Sequence, residues 1–523
     1  LYSFYAQGGY FADNTSVKFI TFGGKEKTYH AWNYATKEEM KKYGRRFNSC
    51  GMYTDDDGHI RFYKDQTDNY LQMNYQLLLN HTFSAAWNLN AALHYTKGDG
   101  YYQEYKEDRS LKEYRLHPFM YDGKEVEKSD LIRQKKMDNH FGGGVFSVNY
   151  RNEKLDASLG GALNYYDGWH FGRVIWVKNY IGELLPDHEY YRNKAKKTDG
   201  NLYLKANYNL VAGLNAYADL QYRYINYKIH GDNDKYDYNT DGLQKLAVND
   251  HFNFFNPKAG LNWDIDSNNR VYASFSVAQK EPTRNNYTDG NADEYPKAEK
   301  LYDYELGYTY RNTWLSAGVN FYYMDYKDQL VLTGELNEIG EAMARNVPDS
   351  YRTGVELMLG VKPCRWFQWD INGTLSKNRV KNFTEKLYED EWKNPIEVEH
   401  GNTPIAFSPD FILNNRFSFS HKGFEAALQS QYVSKQYMSN AKQAEQTLDA
   451  YFVSNLNLAY TFQLRHVKSV TVGFTIYNLF NEKYENNGYA GSGYTLKDGK
   501  PERYNYAGYA AQAGTNVMGN ISI

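Results

Sequence analysis

Two cysteines, Cys50 and Cys364, among 523 residues leave no disulfide framework and no cysteine-based zinc site. Long apolar runs are missing too. None exceeds four residues, against the roughly 20 that a membrane-spanning helix needs, which excludes a helical membrane protein. There is no excess of positive charge: 60 basic residues stand against 63 acidic ones, for a net charge of −3. A dedicated nucleic-acid binder needs such an excess to meet phosphates, so that class is excluded. Catalytic signatures are absent, with no HExxH, no phosphate-binding glycine loop and no GxSxG. His94, His140 and His170 stand singly beside aromatics, as polar filler rather than general bases. No enzyme is expected. The opening LYSFYAQGGYF carries neither Met, nor a basic segment, nor an apolar signal core.

Aromatic residues are plentiful at 17%, with 53 Tyr, 27 Phe and 9 Trp, which rules out a disordered chain. They lie in a pattern of period two that recurs along the chain. In 213–224, Leu214, Ala216, Ala218, Leu220, Tyr222 and Tyr224 share one face, while Asn215, Asp219, Gln221 and Arg223 share the other. In 423–433, Phe424, Ala426, Leu428 and Tyr432 oppose Glu425, Gln429 and Gln431. In 451–462, Leu456, Leu458 and Tyr460 oppose Asn455, Asn457 and Thr461. Tyr and Trp crowd the ends of the apolar stripes, as in Tyr165–Tyr166, Tyr222–Tyr224, Tyr308–Tyr310 and Trp366–Trp369. Cross-strand ring pairing in a soluble sheet could produce that crowding. Aromatic girdles at two membrane boundaries produce it together with the alternation, and a polar average hydropathy is expected of such a wall.

Connections alternate in length. Asp13-Asn14-Thr15, Asn152-Glu153, Val211-Ala212, Pro363-Cys364 and Lys422-Gly423 mark short ones. Long ones fall near 33–67, 102–136, 171–196, 232–252, 285–298, 335–346, 384–405, 438–447 and 489–512. Outer-membrane barrels keep this parity, with short periplasmic turns and long extracellular loops, whereas a sandwich has no reason to. The expected fold is therefore all-β, a transmembrane antiparallel β-barrel. About 19 strands are readable, from 1–12 and 16–32 through to 468–488 and 513–523. An odd number cannot close an antiparallel barrel, so 22 strands are expected in the full protein, with the first strands outside this chain. Leu214, Leu220, Leu428 and Leu456 should then face lipid, and Asn215, Gln221, Gln429 and Asn457 the lumen. Cys364 falls in a periplasmic turn and Cys50 in an extracellular loop, so two free thiols are expected, Cys50 being reachable from outside.

Several stretches resemble the barrel of a TonB-dependent outer-membrane receptor, particularly the forms of Bacteroidetes-type bacteria. They are KFITFGGKEKTYHAW at 18–32, NPKAGLNWDI at 256–265, VYASFSVAQKEPTR at 271–284, YELGYTY at 304–310, SYRTGVEL at 350–357, IYNLFNEKYE at 476–485 and the terminal GTNVMGNISI at 514–523. Their order and spacing cover most of the chain. The resemblance implies that 1–523 is a receptor barrel domain whose N-terminal plug and TonB-binding box lie outside this sequence. It implies residence in the bacterial outer membrane, in contact with lipid, and import of a scarce nutrient. An iron–siderophore or similar metal chelate leads, with cobalamin, haem and oligosaccharide behind. Energy would come through TonB–ExbB–ExbD acting on the absent region, and a surface lipoprotein is a further candidate partner. A passive porin-like channel is the alternative.

Flat aromatic faces and guanidinium forks suit a planar anionic chelate. On that ground Tyr101, Tyr102, Tyr105, Trp169, His170, Arg284 and Tyr287 are the candidate ligand residues, on loops and lumen. No cofactor is required. One extracellular stretch, Asp237-Tyr238-Asn239-Thr240-Asp241-Gly242, spells the first half of a calcium loop, with Asp232 and Asp234 beside it. Val248 occupies the twelfth position, where such a loop needs Glu. An acidic Asp/Asn/Gly turn accounts for the same residues.

Overall fold

The computed structural model describes residues 1–185, 188–238, 240–290, 295–337, 341–389, 393–465 and 467–523. Its main element is a 22-stranded sheet. Nineteen of these strands form an antiparallel meander in chain order, and they are the nineteen segments legible in the sequence. The other three, Lys393–Pro404, Glu485–Lys497 and Lys500–Ala511, lie within long loops. By contact the chain divides into two compact units.

The first unit comprises 1–33, 48–208 and 218–257. It contains β1 (Tyr2–Phe11), β2 (Thr15–Tyr29), β3 (Thr67–Thr82), β4 (Trp87–Ser110), β5 (Lys128–Arg151) and β6 (Leu155–Val177). Most of β7 (Glu189–Val211) and β8 (Leu214–Asp237) and the first part of β9 (Gly242–Asp264) also belong to it. The alternation holds in three dimensions. Leu77 pairs with Leu93 and Tyr75 with Tyr95 across β3 and β4, and all four are exposed. Leu159 and Leu204 pair likewise across β6 and β7. Leu220 is 45% exposed, while the adjacent Gln221 accepts a hydrogen bond from Asn256 at 3.2 Å on the other face.

The second unit comprises 34–47, 209–217 and 258–523. It holds the rest of β9, then β10 (Asn269–Lys280), β11 (Glu299–Arg311), β12 (Leu315–Leu336), β13 (Ala342–Cys364), β14 (Phe367–Glu389) and β15 (Phe411–His421). β16 (Phe424–Val433), β17 (Tyr451–Leu464), β18 (Val467–Tyr477) and β19 (Asn516–Ser522) complete it. One row of side chains runs through β10 to β15 as Ala273, Leu306, Phe321, Val355, Leu375 and Phe411. The next row on the opposite face passes through Tyr272, Gly307, Asn320 and Glu356, where Tyr272 donates to Asn320 at 2.8 Å. In β15 to β18 the apolar row is Phe417, Leu428, Leu456 and Ile476. Apolar rows that stay uncovered and polar rows bonded to one another are what a lipid-facing, water-lined wall requires.

Turns on one side are tight. Lys422 and Gly423 join β15 to β16, with φ of 48° and 82°. Two positive φ values in a two-residue hairpin match the right-handed twist of the flanking strands, and Gly supplies the second without strain. On the other side the strands run farther than alternation alone suggests. The stretches expected to be loops at 102–136, 171–196 and 232–252 are largely ladder, since β4 reaches Ser110, β6 reaches Val177, and β8 and β9 are separated only by 238–241. Backbone pairing continues into the stretches expected to be loops, because every N–H and C=O there still needs a partner.

Cys50 and Cys364 are both free. Cys50 is not reachable as expected: it is 1% exposed, its sulfur accepting the Asn33 amide at 3.3 Å and its carbonyl the Tyr29 hydroxyl at 2.9 Å. The 33–67 connection folds back on itself there instead of standing in solvent.

Candidate ligand-binding surface at the long-loop end

Strand parity sorts the candidate residues by face. In β4, Leu93 and Tyr95 lie on the exposed apolar face, so Tyr101 and Tyr105 share it and Tyr102 does not. In β6, Leu163 and Tyr165 are exposed, so Trp169 lies on their face and His170 on the opposite one. The contacts agree. Tyr101 packs under the Lys136 ammonium at 4.8 Å. Tyr105 stacks on Tyr53 at 4.4 Å and donates to Asp130 at 2.8 Å. Trp169 is flanked by Arg192 at 5.0 Å and Lys194 at 4.7 Å.

On the opposite face, Tyr102 meets two residues outside the candidate set. His30 and Trp32 follow the end of β2, with ring centres 3.8 Å apart. Tyr102 lies 5.4 Å from His30 and sits edge-on to Trp32 at 5.1 Å. The stretch HAW directly after a period-two run was the available signal, since it puts two rings at a strand mouth. His170 faces the same way and lies 3.5 Å from the Tyr166 hydroxyl.

A charged belt adjoins this trio. Glu104 accepts from Arg133 at 2.8 and 2.9 Å and from Lys106 at 2.9 Å. Burial works to raise the Glu104 carboxyl, but the Arg133, Lys106 and Lys135 cations overcome it and hold it at about 2. Lys135 pairs with Asp234. Arg133 also donates to the Tyr114 hydroxyl at 3.2 Å. Tyr114 belongs to a loop segment whose Leu111, Leu116 and Phe119 pack with Leu131, Val174 and Tyr190 into a small apolar core. The loop is thereby fastened to the wall by burial as well as charge.

The acidic stretch is already engaged. Asp232 is bonded by Arg115 and Lys245, and Asp241 by Lys112 at 3.1 Å and the Tyr236 hydroxyl at 2.7 Å. Asp237 accepts from Thr240 at 3.0 Å. Asn239 lies outside the described residues. A calcium ion there would have to displace several cations. Elsewhere, ligand atoms of Asp55, Asp57 and His59 lie within 4.8 Å of one another, but Asp55 is bonded to Arg61 at 2.8 Å and to two backbone amides.

In the second unit, Arg284 opens a one-turn helix, Arg284–Thr288, capped by Thr283 and Asn286. Tyr287 on that turn is buried and meets Tyr295 at 5.7 Å. Loop order in this unit also rests on Arg503, which forks onto Glu385 at 2.6 and 2.9 Å.

Comparison with known proteins identifies the wall that carries these groups. The family model described as "TonB dependent receptor-like, beta-barrel" matches residues 8–479. The pesticin receptor of Yersinia enterocolitica is 24% identical over 225 residues, covering 42% of this chain and 30% of that receptor. The chain thus matches under a third of that relative's length. The ferric yersiniabactin uptake receptor FyuA from Yersinia pestis superposes with a TM-score of 0.64 at 14% identity, over 97% of this chain and 67% of that one. The siderophore receptor PiuA from Acinetobacter baumannii gives 0.63 at 11%, over 97% and 71%. No helix among the described residues is long and apolar enough to cross a membrane, and the strands do so instead. This chain belongs to the TonB-dependent receptor β-barrel family of the bacterial outer membrane.

Proposed function

We propose that the receptor captures a scarce metal chelate, first of all an iron–siderophore, at the cell surface and passes it inward under TonB–ExbB–ExbD. The observation that carries this is the ring trio His30, Trp32 and Tyr102 on the polar face at the mouth of the wall, with Lys135 5.9 Å from Tyr102. Flat rings beside fixed positive charge bind a planar, delocalised anion through its faces and its edges at once. The names of FyuA and PiuA point to the same ligand class. The polar rows of the wall suit passage, because wet surfaces slide past one another where a dry interlocked core would not.

The test uses the full-length receptor in outer membranes of cells with and without TonB. Radio-iron bound to siderophores should associate with the surface in both and accumulate only with TonB. Equal accumulation in both would favour the passive channel. Surface binding of cobalamin, haem or oligosaccharide in place of ferric siderophores would replace the substrate class.

A further inference from the structure

A depression in the second unit lies on the apolar face of its strands. It is a trough of about 860 Å³. Phe321 and Tyr323 form one bank, Leu375 and Phe411 the other, and the smaller Thr353 and Val355 of β13 form the floor. Because β14 rises from a tight turn, its outer end points to the extracellular leaflet. There the face changes character. Two and four residues beyond Leu375 stand Lys377 and Arg379, both at the trough's edge.

The charges at that end do not balance. Asp325 is held by Lys381 and Lys327, Asp349 by Lys327, and Asp410 by Arg379 at 3.3 Å. Lys377 is exposed and makes no ion pair among the described residues. An uncompensated ammonium beside a guanidinium, directly above an apolar trough, is complementary to a molecule with a phosphate over an acyl chain. We infer that this trough seats an acyl chain of a phosphate-bearing lipid of the outer leaflet, with the phosphate held by Lys377 and Arg379. The site is separate from the transport ligand and does not depend on its identity.

The test is native mass spectrometry of the full-length receptor in detergent, titrated with bisphosphorylated lipid A, with its phosphate-free form and with inorganic phosphate. Lipid A should be retained at a defined stoichiometry. Lys377→Gln should weaken retention about tenfold or more, the scale of one charge-assisted hydrogen bond. Val355→Trp fills the floor and should weaken retention with both cations intact, while heat-resistant migration in gels reports that each variant is folded. Wild-type retention by both folded variants would overturn the inference. So would equal retention of the phosphate-free lipid, or displacement of lipid A by inorganic phosphate at equal concentration.

Discussion

Glu104 and Arg133 face each other as register partners across β4 and β5, 1% and 3% exposed, with two hydrogen bonds between them. The pair anchors the loop to the wall, because Arg133 also donates to the Tyr114 hydroxyl. Arg133→Met should leave Glu104 buried without its main partner and cost about 3–5 kcal/mol. Faster proteolysis of the 111–127 segment, with the rest of the chain still resistant, is the readout.

The same pair sets a pH window. The Glu104 carboxyl is held at about 2 in the folded state against an ordinary 4.5. A depressed carboxylate stabilises fully above its unfolded value and loses that contribution as pH falls through the folded one. Protection of 111–127 against hydrogen exchange, taken relative to the intrinsic rate at each pH, should be flat from pH 7 to about 5 and fall progressively below about 4.5. Unchanged protection at about pH 3 would remove Glu104 from this role.

Leu220 and Gln221 are neighbours on opposite faces of β8. Leu220→Arg should cost about 2–4 kcal/mol if the site lies near the bilayer midplane, and Gln221→Lys much less. Denaturant unfolding in lipid vesicles compares them, and equal costs would mean that the faces are misassigned.

Gly423 should not tolerate a side chain. A Cβ there would lie 2.4 Å from the Thr461 carbonyl oxygen, at a φ of 82°. Gly423→Ala should destabilise the β15–β16 hairpin by about 1–3 kcal/mol. Thermal unfolding in detergent measures it, with Lys422→Asn as a tolerated neighbour, since Asn accepts the left-handed conformation.

Cys50 should react slowly. Burial pushes its thiol up, and the Asn33 amide only partly opposes this. A membrane-impermeant maleimide should modify it on intact cells far more slowly than after denaturation. Rapid labelling of intact cells would show that the 33–67 connection opens.

Tyr102→Ala should weaken chelate binding about two- to tenfold, the range of one aromatic contact, while Tyr105→Ala leaves it within about twofold. Equilibrium binding to intact cells reads both. The reverse order would put the ligand on the other face.

Period-two alternation determined the wall. Leu428 with Leu456, and Gln429 with Asn455, pair as the alternating sequence requires, because a strand sends successive side chains to opposite faces whatever surrounds it. Tight turns were legible for the same local reason, as at Lys422-Gly423. The same parity, applied residue by residue, separates Tyr102 and His170 from Tyr101, Tyr105 and Trp169. Composition alone grouped all five, since residue type carries no facing. What only the tertiary structure decided is long-range. His30 and Trp32 meet Tyr102 across about 70 residues of chain. Asp232 and Asp241 find Arg115 and Lys112 in a distant loop, and Asp234 finds Lys135 on the distant strand β5. Cys50 is buried by a connection that folds back over it. Such contacts depend on where loops come to rest, and that is set by the sum of burial and charge over many residues rather than by any local period.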